Sequence, residues 1–240
     1  MTDRVDELAF VREQYETEDR LRARKSAYAN AEGDDPREFA FEAIAEANPR
    51  RVLEVGGGEG ELAERIVNEL GAEVVGVDQS ERMVELQRSK GIDARVGDVQ
   101  DLPFADGEFD VAVAAWMLYH VADLDRALAE LARVLKPGGR LIAVTNAVEH
   151  LQELWDLARR ATSTRRFDFR SDNGEESLRR HFAKVERRDA HGWVTMDDAA
   201  VRRFAASWDA LATLVTAPPL DEPLRVRRHS TVFVAHKAPS

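Results

Sequence analysis

The chain has 240 residues, of which 44% are hydrophobic, and this is enough for one large domain with a substantial core. Its formal net charge of −11 disfavours binding to nucleic acids and anionic membranes, because their phosphates repel an acidic surface. It contains no cysteine, which excludes disulfides, thiolate metal sites and a cysteine nucleophile and favours a cytoplasmic location.

Two further classes of protein are disfavoured by the pattern of residues. The first ten residues carry acids and no apolar run, and no segment approaches the roughly 20 apolar residues of a membrane span. We therefore expect neither a signal peptide nor a membrane anchor. The six histidines have no spacing typical of metal ligands, so no metal is expected. The sequence makes no prediction of the oligomeric state.

The amino-terminal part of the chain is predicted to be helical. Residues 3–30 form a polar helical pattern with sparse apolar anchors. A second helix begins at Asp35 as N-cap and Pro36 as first helical residue, with Glu38 as the capping-box acid. The pair Asn48-Pro49 ends it.

From residue 50 onwards, strands alternate with helices. Several strands are apolar throughout, which indicates a parallel sheet covered by helices on both faces. The predicted strands are 50–55, 72–78, 92–98, 109–116 and 140–146, and the helices are 59–70, 80–90 and 123–135. A turn is predicted at "KPGG", just before the fifth strand. After residue 147 we expect helices at 148–160, 175–182 and 197–215, a strand within 183–196 and a last strand at 230–237.

The glycine-rich stretch "RVLEVGGGEGEL" joins the first of these strands to the next helix. A glycine loop in this position binds a cofactor at the carboxyl end of a doubly wound sheet. Gly56, Gly58 and Gly60 form GxGxG rather than the GxGxxG of dinucleotide-binding folds, whose third glycine is replaced here by Glu61. Glu54 ends the strand, and an acid there repels a pyrophosphate and attracts an ammonium or sulfonium group.

Two more acids follow the next strands. Asp78 ends the second strand and suits a ribose diol, which offers two hydroxyl donors. Asp98, after the third strand, can accept from an adenine amine, and the backbone N–H of Val99 can donate to the ring. Asp78 can also serve as a helix cap, and Asp98 can be a solvated loop acid. Together with Glu54 the three acids predict a ligand that carries an amine, a ribose and an adenine.

These stretches, in this order and spacing, resemble the successive motifs of class I S-adenosylmethionine-dependent methyltransferases, in particular the small-molecule branch. The resemblance covers residues 50–146 and rests on "LEVGGGEG", "GVDQS", "GDVQDLPFADGEFDVAVAAWMLYHV" and "ALAELARVLKPGGRLIAVTN". It departs from the family at Glu54 and Gly57, where the family often has Asp and Cys, and at Ala115, where it often has a polar residue. Glu54 is expected to serve as Asp does, and Gly57 to add flexibility.

The resemblance implies S-adenosylmethionine as the cofactor and the following roles. Glu54 and the backbone of Gly56, Gly58 and Gly60 hold the methionine moiety, Asp78 holds the ribose hydroxyls, and Asp98 and Val99 hold the adenine. Gln79 and Met83 pack near the ribose and adenine, and Ala115 and Trp116 line the methionine portion.

The candidates for contact with the methyl acceptor are less specific. Tyr119 and His120 follow the fourth strand, where a base can face the acceptor, although relatives often have a capping or packing group there. Asn146 and His150 follow the fifth strand on the same rim. The amino-terminal helix is expected to close over the cofactor as a lid, with Tyr15, Arg24 and Tyr28 as candidate contacts, or to be surface packing only.

The predicted fold is a doubly wound, Rossmann-like α/β sandwich of seven strands, with the last strand antiparallel. We expect one methyltransferase domain over 1–240: a helical cap at 1–48, a cofactor-binding core at 50–146, and a substrate-side region at 147–240. The helical cap and an insertion near 147–180 are expected to roof the acceptor pocket. The predicted reaction is SN2 methyl transfer to an O, N or C nucleophile of a small molecule. The alternatives are a nicotinamide-dependent oxidoreductase and an inactive cofactor-binding or scaffold protein.

Overall fold

The computed structural model describes residues 18–158 and 169–239. Eight strands form one mixed sheet in the order β1-β7-β8-β6-β5-β2-β3-β4. The strands are β1 Ala31–Gly33, β2 Arg51–Val55, β3 Glu73–Asp78, β4 Asp93–Val96, β5 Phe109–Ala115, β6 Leu135–Asn146, β7 Lys184–Met196 and β8 Leu224–His236. The doubly wound fold class is thus confirmed.

The helices cover the sheet and its carboxyl edge. They are α1 Glu18–Ser26, α2 Pro36–Ala45, α3 Glu61–Leu70, α4 Glu81–Ser89, α5 Leu124–Val134, α6 Gln152–Leu157, α7 Gly174–Arg179 and α8 Asp198–Ala206. Two 3₁₀ turns, η1 Leu118–His120 and η2 Asp209–Leu214, complete the set within the described residues. None of these helices is long and apolar enough to cross a membrane.

The sheet is parallel at its centre and antiparallel at one side. β2 pairs in parallel with β3 and β5, and β5 pairs in parallel with β6. β8 runs antiparallel between β6 and β7, as predicted for the last strand. The predicted count of seven strands was wrong, because the short strand β1 pairs antiparallel with β7 at the sheet edge. β1 has only three residues, Ala31–Gly33, and no apolar alternation, so the sequence did not indicate a strand there.

Several element ends follow the predicted capping chemistry. The Asp35 side chain accepts from Arg37 N, and Pro36 begins α2. Ser80 caps α4 by accepting from Met83 N at 3.3 Å. Glu38 does not close a capping box, because its carboxylate binds the Arg65 guanidinium at 2.6 and 2.8 Å. A bidentate arginine pair is a stronger interaction than a bond to one backbone amide.

The region after residue 147 differs most from the prediction. β8 begins six residues before the predicted start, and α8 ends at Ala206, where a 3₁₀ turn replaces the predicted continuous helix. β6 begins at Leu135, so the predicted turn at "KPGG" lies within this strand instead of before it. It is an irregular part of the strand, where the register of β6 against β5 shifts. α6 is shorter than the predicted helix, of which residues 159 and 160 lie outside the described part of the chain.

Three apolar clusters hold the elements together. Two of them fill the two faces of the sheet, and each contains buried strand residues such as Leu53 and Val52, respectively. The third lies beyond the carboxyl edge of the parallel strands, where the amino-terminal half of β8 extends past β6 and pairs with β7. It joins the segment after α1 to α6, α8 and η2 as a cap over that edge. The cap thus includes α8 and η2, which lie beyond residue 180, in addition to the segment after α1 and α6.

Candidate functional site

The glycine loop connects β2 to α3 in a conformation that side chains oppose. Gly56, Gly58 and Gly60 have φ values of 64°, 55° and 74°, in the left-handed region that favours glycine. A Cβ at Gly56 would lie 2.8 Å from Cβ of Met117, the second residue after β5. The loop and the end of β5 are therefore in contact, and they form the two walls of the crevice where a doubly wound sheet binds its ligand.

Glu54 lies beneath this loop with 2% of its surface exposed. One carboxylate oxygen accepts from the backbone N–H of Ala63 in the first turn of α3, whereas Oε2 has no hydrogen-bond partner among the described residues. Burial, with the nearby charge of Asp78, raises the pKa of Glu54 to about 7. A buried carboxylate oxygen without a donor fits a ligand that brings an N–H group and a positive charge, such as the α-ammonium of S-adenosylmethionine.

The structure corrects the role expected for Gly57. A Cβ at this position would overlap Oε2 of Glu54. Gly57 therefore provides space for the glutamate and is not simply a source of flexibility. The two departures from the family pattern are coupled: the longer acid occupies the volume of the missing side chain.

Asp78 holds the next part of the crevice. It ends β3 and accepts from the backbone amides of Ser80, Gly58 and Gln79. It thus ties the glycine loop to the start of α4, while burial raises its pKa to about 6. The N-cap of α4 is Ser80, and Asp78 supports it by accepting from the Ser80 backbone N–H. Gln79 is half-buried beside it, whereas the Met83 side chain is buried to 1% exposure.

Asp98 and Val99 lie after β4 on the same edge. Asp98 is half-buried and accepts from the backbone and side-chain N–H groups of Gln100, at 2.9 to 3.0 Å. These bonds set the carboxylate within its own loop. Val99 is 3% exposed and packs in the core, so only its backbone can meet a ligand.

Trp116 follows β5 with φ 54°, a conformation that costs a bulky residue on the order of 1–3 kcal/mol. Two hydrogen bonds hold it: its backbone N–H donates to Val144 O at 2.8 Å, and Nε1 donates to Asn146 Oδ1 at 3.0 Å. Asn146 Oδ1 also accepts from Ser230 Oγ at 2.8 Å. Such strain is typical of functional sites. Ala115 is half-buried before it, and the indole contact joins Trp116 to Asn146 at the end of β6.

The structure brings together Tyr28 and His150, which the sequence offered as separate candidates. Tyr28 Oη lies 3.2 Å from His150 Nε2, and His150 Nδ1 lies 3.1 Å from both the N and O atoms of the His229 backbone. Burial, opposed by nearby Arg228 and Arg24, raises the pKa of Tyr28 to about 12. Burial and the charge of Arg228 lower the pKa of His150 to about 4, so both groups are neutral at pH 7.

The remaining predicted residues occupy the same edge or fall outside the described residues. Tyr119 and His120 are half-buried in η1, and their ring centroids are 4.5 Å apart. The Arg24 guanidinium lies 5.9 Å from the Trp208 ring, in the cap. Tyr15 lies outside the described residues.

Sequence analysis missed the contacts between α1 and the glycine loop. Glu59, with 11% of its side chain exposed, accepts from Arg22 Nε and Lys25 Nζ, each at 3.0 Å. Lys25 also pairs with Glu61 at 3.0 Å. The same residues line a depression of about 470 Å³ with Lys90. The closely spaced basic residues of α1 indicate that the helix pairs with acidic groups. The sequence alone does not identify Glu59 as their partner, because the two segments are distant along the chain.

Within residues 18–158 and 169–239, no group of three or more His, Asp and Glu side chains is arranged to hold a metal ion.

Comparison with known proteins agrees with this geometry. Residues 53–143 match a family model described as a methyltransferase domain. Over 115 residues the chain is 39% identical to a demethylmenaquinone methyltransferase of Thermus thermophilus, a match that covers 45% of this chain and 52% of the relative. The chain thus spans about half the length of the curated relatives it matches.

Two solved structures show the same fold over most of the chain. One is a Thermotoga maritima S-adenosylmethionine-dependent methyltransferase, a possible histamine N-methyltransferase, with TM-score 0.56, 23% identity and coverage of 95% of this chain and 97% of that one. The other is phosphoethanolamine N-methyltransferase 2 of Haemonchus contortus, bound to phosphomonomethylethanolamine and S-adenosylhomocysteine, with TM-score 0.61, 20% identity and coverage of 100% and 60%.

A nicotinamide-dependent oxidoreductase is not favoured, because the loop lacks the third dinucleotide glycine and has the buried Glu54 beneath it. The matched domain, the ordered motifs and the buried acid under the glycine loop agree. Residues 53–143 are thus similar to methyltransferase domains, and the chain has the fold of solved S-adenosylmethionine-dependent methyltransferases.

Proposed function

We propose that the protein transfers a methyl group from S-adenosylmethionine to an O, N or C nucleophile of a small molecule, with S-adenosylhomocysteine as the second product. The observation that carries the proposal is the buried Glu54 carboxylate, whose Oε2 has no donor among the described residues and lies beside the glycine loop. A ligand ammonium supplies the missing hydrogen-bond donor and a positive charge. A pyrophosphate supplies neither the donor nor the positive charge.

The bound cofactor supplies an activated methyl group on its sulfonium, so the protein's main contributions are alignment and exclusion of water. In this proposal Glu54 and the loop amides orient the methionine end, Asp78 accepts from the ribose hydroxyls, and Asp98 and Val99 meet the adenine. Trp116, fixed by Asn146, limits the space beside the methionine end.

Two sets of residues serve the acceptor in this proposal. His120 and Tyr119, directly after β5, are the candidates to take a proton where the nucleophile arrives protonated. Tyr28 and His150 offer hydrogen bonds to polar groups of the acceptor. With a pKa of about 4, His150 is a weak base at pH 7, so a hydrogen-bonding role suits it better than proton removal.

The helix α1 acts as a lid in this proposal. Its ion pairs to Glu59 bring it against the glycine loop, and its carboxyl end leads to Tyr28 at the acceptor side. One helix thereby contacts both halves of the site. This supports one functional unit over 1–240, with the divisions at 1–48, 50–146 and 147–240.

The net charge of −11 supports a small-molecule acceptor rather than a nucleic acid, and the absence of cysteine supports a cytoplasmic location. Neither argument selects the atom that is methylated.

Isothermal titration with S-adenosylhomocysteine and, separately, with NAD tests the cofactor. We expect S-adenosylhomocysteine to bind and NAD not to bind; binding of NAD alone would overturn the proposal. Transfer of tritium from labelled S-adenosylmethionine to the low-molecular-weight fraction of a cell extract tests activity. Cofactor binding without any transfer would instead favour the inactive scaffold.

A further inference from the structure

Arg228 differs from the other arginines on its part of β8. Arg225 pairs with Glu32 at 3.5 Å and Arg227 pairs with Glu153 at 3.8 Å. Among the described residues, no carboxylate forms an ion pair with Arg228, although its side chain is half-buried. A half-buried charge without a counter-ion is costly, and a ligand of opposite charge removes that cost.

The groups around Arg228 do not neutralise it. Its guanidinium carbon lies 5.4 Å from the Tyr28 ring centroid, and Tyr28 binds His150. Both of these groups are neutral at pH 7. The carboxylate of Asp35 acts on Arg228 only at a distance, because both of its oxygens bind Arg37 at 2.7 to 3.2 Å. The cluster therefore carries a net positive charge.

The position of Arg228 connects this charge to the acceptor side of the site. Ser230 pairs with Asn146 at the carboxyl end of β6, and its hydroxyl binds the same amide oxygen as Trp116 Nε1. Arg228 lies on the same face of β8 as Ser230, because residues two apart in a strand share a face. It is two residues before Ser230, in the part of β8 that extends about 7 Å beyond the edge of the parallel strands. Trp116, Ser230 and Arg228 thus form a row that leads from the crevice into the cap.

Gly192 lies opposite this arginine. It pairs with Arg228 across β7 and β8, and the position of a Cβ at Gly192 is 3.4 Å from Arg228 Nη1, an ordinary contact distance. The Cβ would overlap the backbone oxygen of Glu32, so the close approach of β1 is what requires glycine here. The guanidinium therefore lies between the surface of β7 at Gly192 and the Tyr28 ring.

We propose that the methyl acceptor is an anion whose carboxylate or phosphate binds Arg228, with Tyr28 and His150 as neighbouring hydrogen-bonding groups. This inference rests on the proposed function and defines the substrate class of that site. A guanidinium binds both kinds of oxyanion through two parallel hydrogen bonds, which also orient the ligand. Anchoring the anion in the cap leaves the rest of the acceptor to extend towards Trp116 and the methyl group.

The test uses the full chain saturated with S-adenosylhomocysteine and three probes of similar shape: benzoate, phenyl phosphate and the neutral benzamide. Isothermal titration is run on the unmodified protein, on Arg228→Gln and on Arg225→Gln. Arg225→Gln is the matched control, because it removes an arginine from the same strand outside the site.

We expect at least one anion to bind the unmodified protein roughly tenfold or more tightly than benzamide. The tighter of the two anions identifies the oxyanion. Arg228→Gln should abolish the preference, whereas Arg225→Gln should retain it. Equal binding of anions and benzamide, or equal loss in both variants, would overturn the inference.

The two proposals fail in distinguishable ways. S-adenosylhomocysteine should bind all three proteins with similar affinity, since Arg228 does not contact the glycine loop. Intact cofactor binding without an anion preference overturns the acceptor class only. Absence of cofactor binding overturns the methyl-transfer proposal, and the anion titrations, repeated without cofactor, still measure the site at Arg228.

Discussion

Glu54 and Gly57 share one small volume beneath the glycine loop. The carboxylate of Glu54, with 2% exposure, lies where the Cβ of any other residue at position 57 would be. A side chain at position 57 therefore requires the glutamate to move or to be replaced by a shorter residue. This coupling follows from the packing of the loop and is a property of single side chains.

The first prediction tests the coupling with a double-mutant cycle. Gly57→Ala should lower the free energy of unfolding by about 1–3 kcal/mol, because the added methyl group overpacks an enclosed site. In a Glu54→Asp background the shorter acid leaves space, so the same change should cost less than half as much. Chemical denaturation of the four proteins measures this. Additive losses would show that the two positions do not share the volume.

The second prediction concerns the protonation of Glu54. Its pKa of about 7 means that the carboxyl group is increasingly neutral below pH 7 and loses its attraction for an ammonium group. Affinity for S-adenosylhomocysteine should therefore fall roughly tenfold as the pH is lowered from 8 to 6.

Titration calorimetry in buffers of different ionisation enthalpy should also detect proton release on binding near pH 7. Glu54→Gln removes the ionisable group and should bind more weakly, with a flatter pH profile. An unchanged pH profile in this variant would assign the titration to another group, such as Asp78, whose pKa is about 6.

At the scale of elements, the main feature of the site is that α1 reaches the glycine loop through charge. Glu59 accepts from both Arg22 and Lys25, whereas Glu61, with 59% of its side chain exposed, pairs with Lys25. An apolar contribution follows directly after the helix, where Ala27 and Tyr28 join the third cluster. The carboxyl half of α1 and the segment after it are thus held both by ion pairs to the glycine loop and by apolar contacts in the cap.

The third prediction follows from this asymmetry. Glu59→Gln should weaken binding of S-adenosylhomocysteine about two- to fivefold and speed amide exchange in residues 18–26, since a partly buried network is lost. Glu61→Gln is the matched control and should change both measurements much less, because exposed pairs contribute little. Equal effects of the two variants would contradict a latching role for Glu59.

At the scale of the whole molecule, His150 connects three regions. It follows β6, its ring contacts the backbone of β8 at His229, and it binds Tyr28 at the end of α1. The cap and the sheet therefore meet through an imidazole that is neutral in the folded protein.

The fourth prediction is the pH dependence of stability that this neutrality causes. The pKa of His150 is lowered from 6.5 to about 4, so between these values the unfolded chain binds a proton that the folded chain does not. The free energy of unfolding should fall as the pH decreases through this window, by about 1–2 kcal/mol for a half-buried ring.

His150→Gln should remove this component of the pH dependence, measured by urea denaturation at pH 7 and pH 5. His181→Gln, at a site where the imidazole pairs with Asp125 away from the cap, is the control. Identical pH dependence in the two variants would exclude His150 as the source.

The sequence determined the cofactor half of the protein. The alternation of apolar strands and capped helices over 50–146 predicted the parallel sheet, because the elements there are defined by local periodicity and by capping residues such as Ser80. The spacing of glycines and of Glu54, Asp78 and Asp98 predicted the ligand class, since strand ends of a parallel sheet meet at one edge.

Only the tertiary structure decided how the acceptor side is built. The early start of β8 was hidden because the alternation that Leu224 and Val226 begin is broken at Arg228, and these residues form a strand through their pairing with β7. The contacts of Tyr28 with His150 and of Arg22 with Glu59 join residues 122 and 37 positions apart. No local pattern encodes such pairs: their formation depends on the packing of α1 and of the β7–β8 extension over the edge of the sheet.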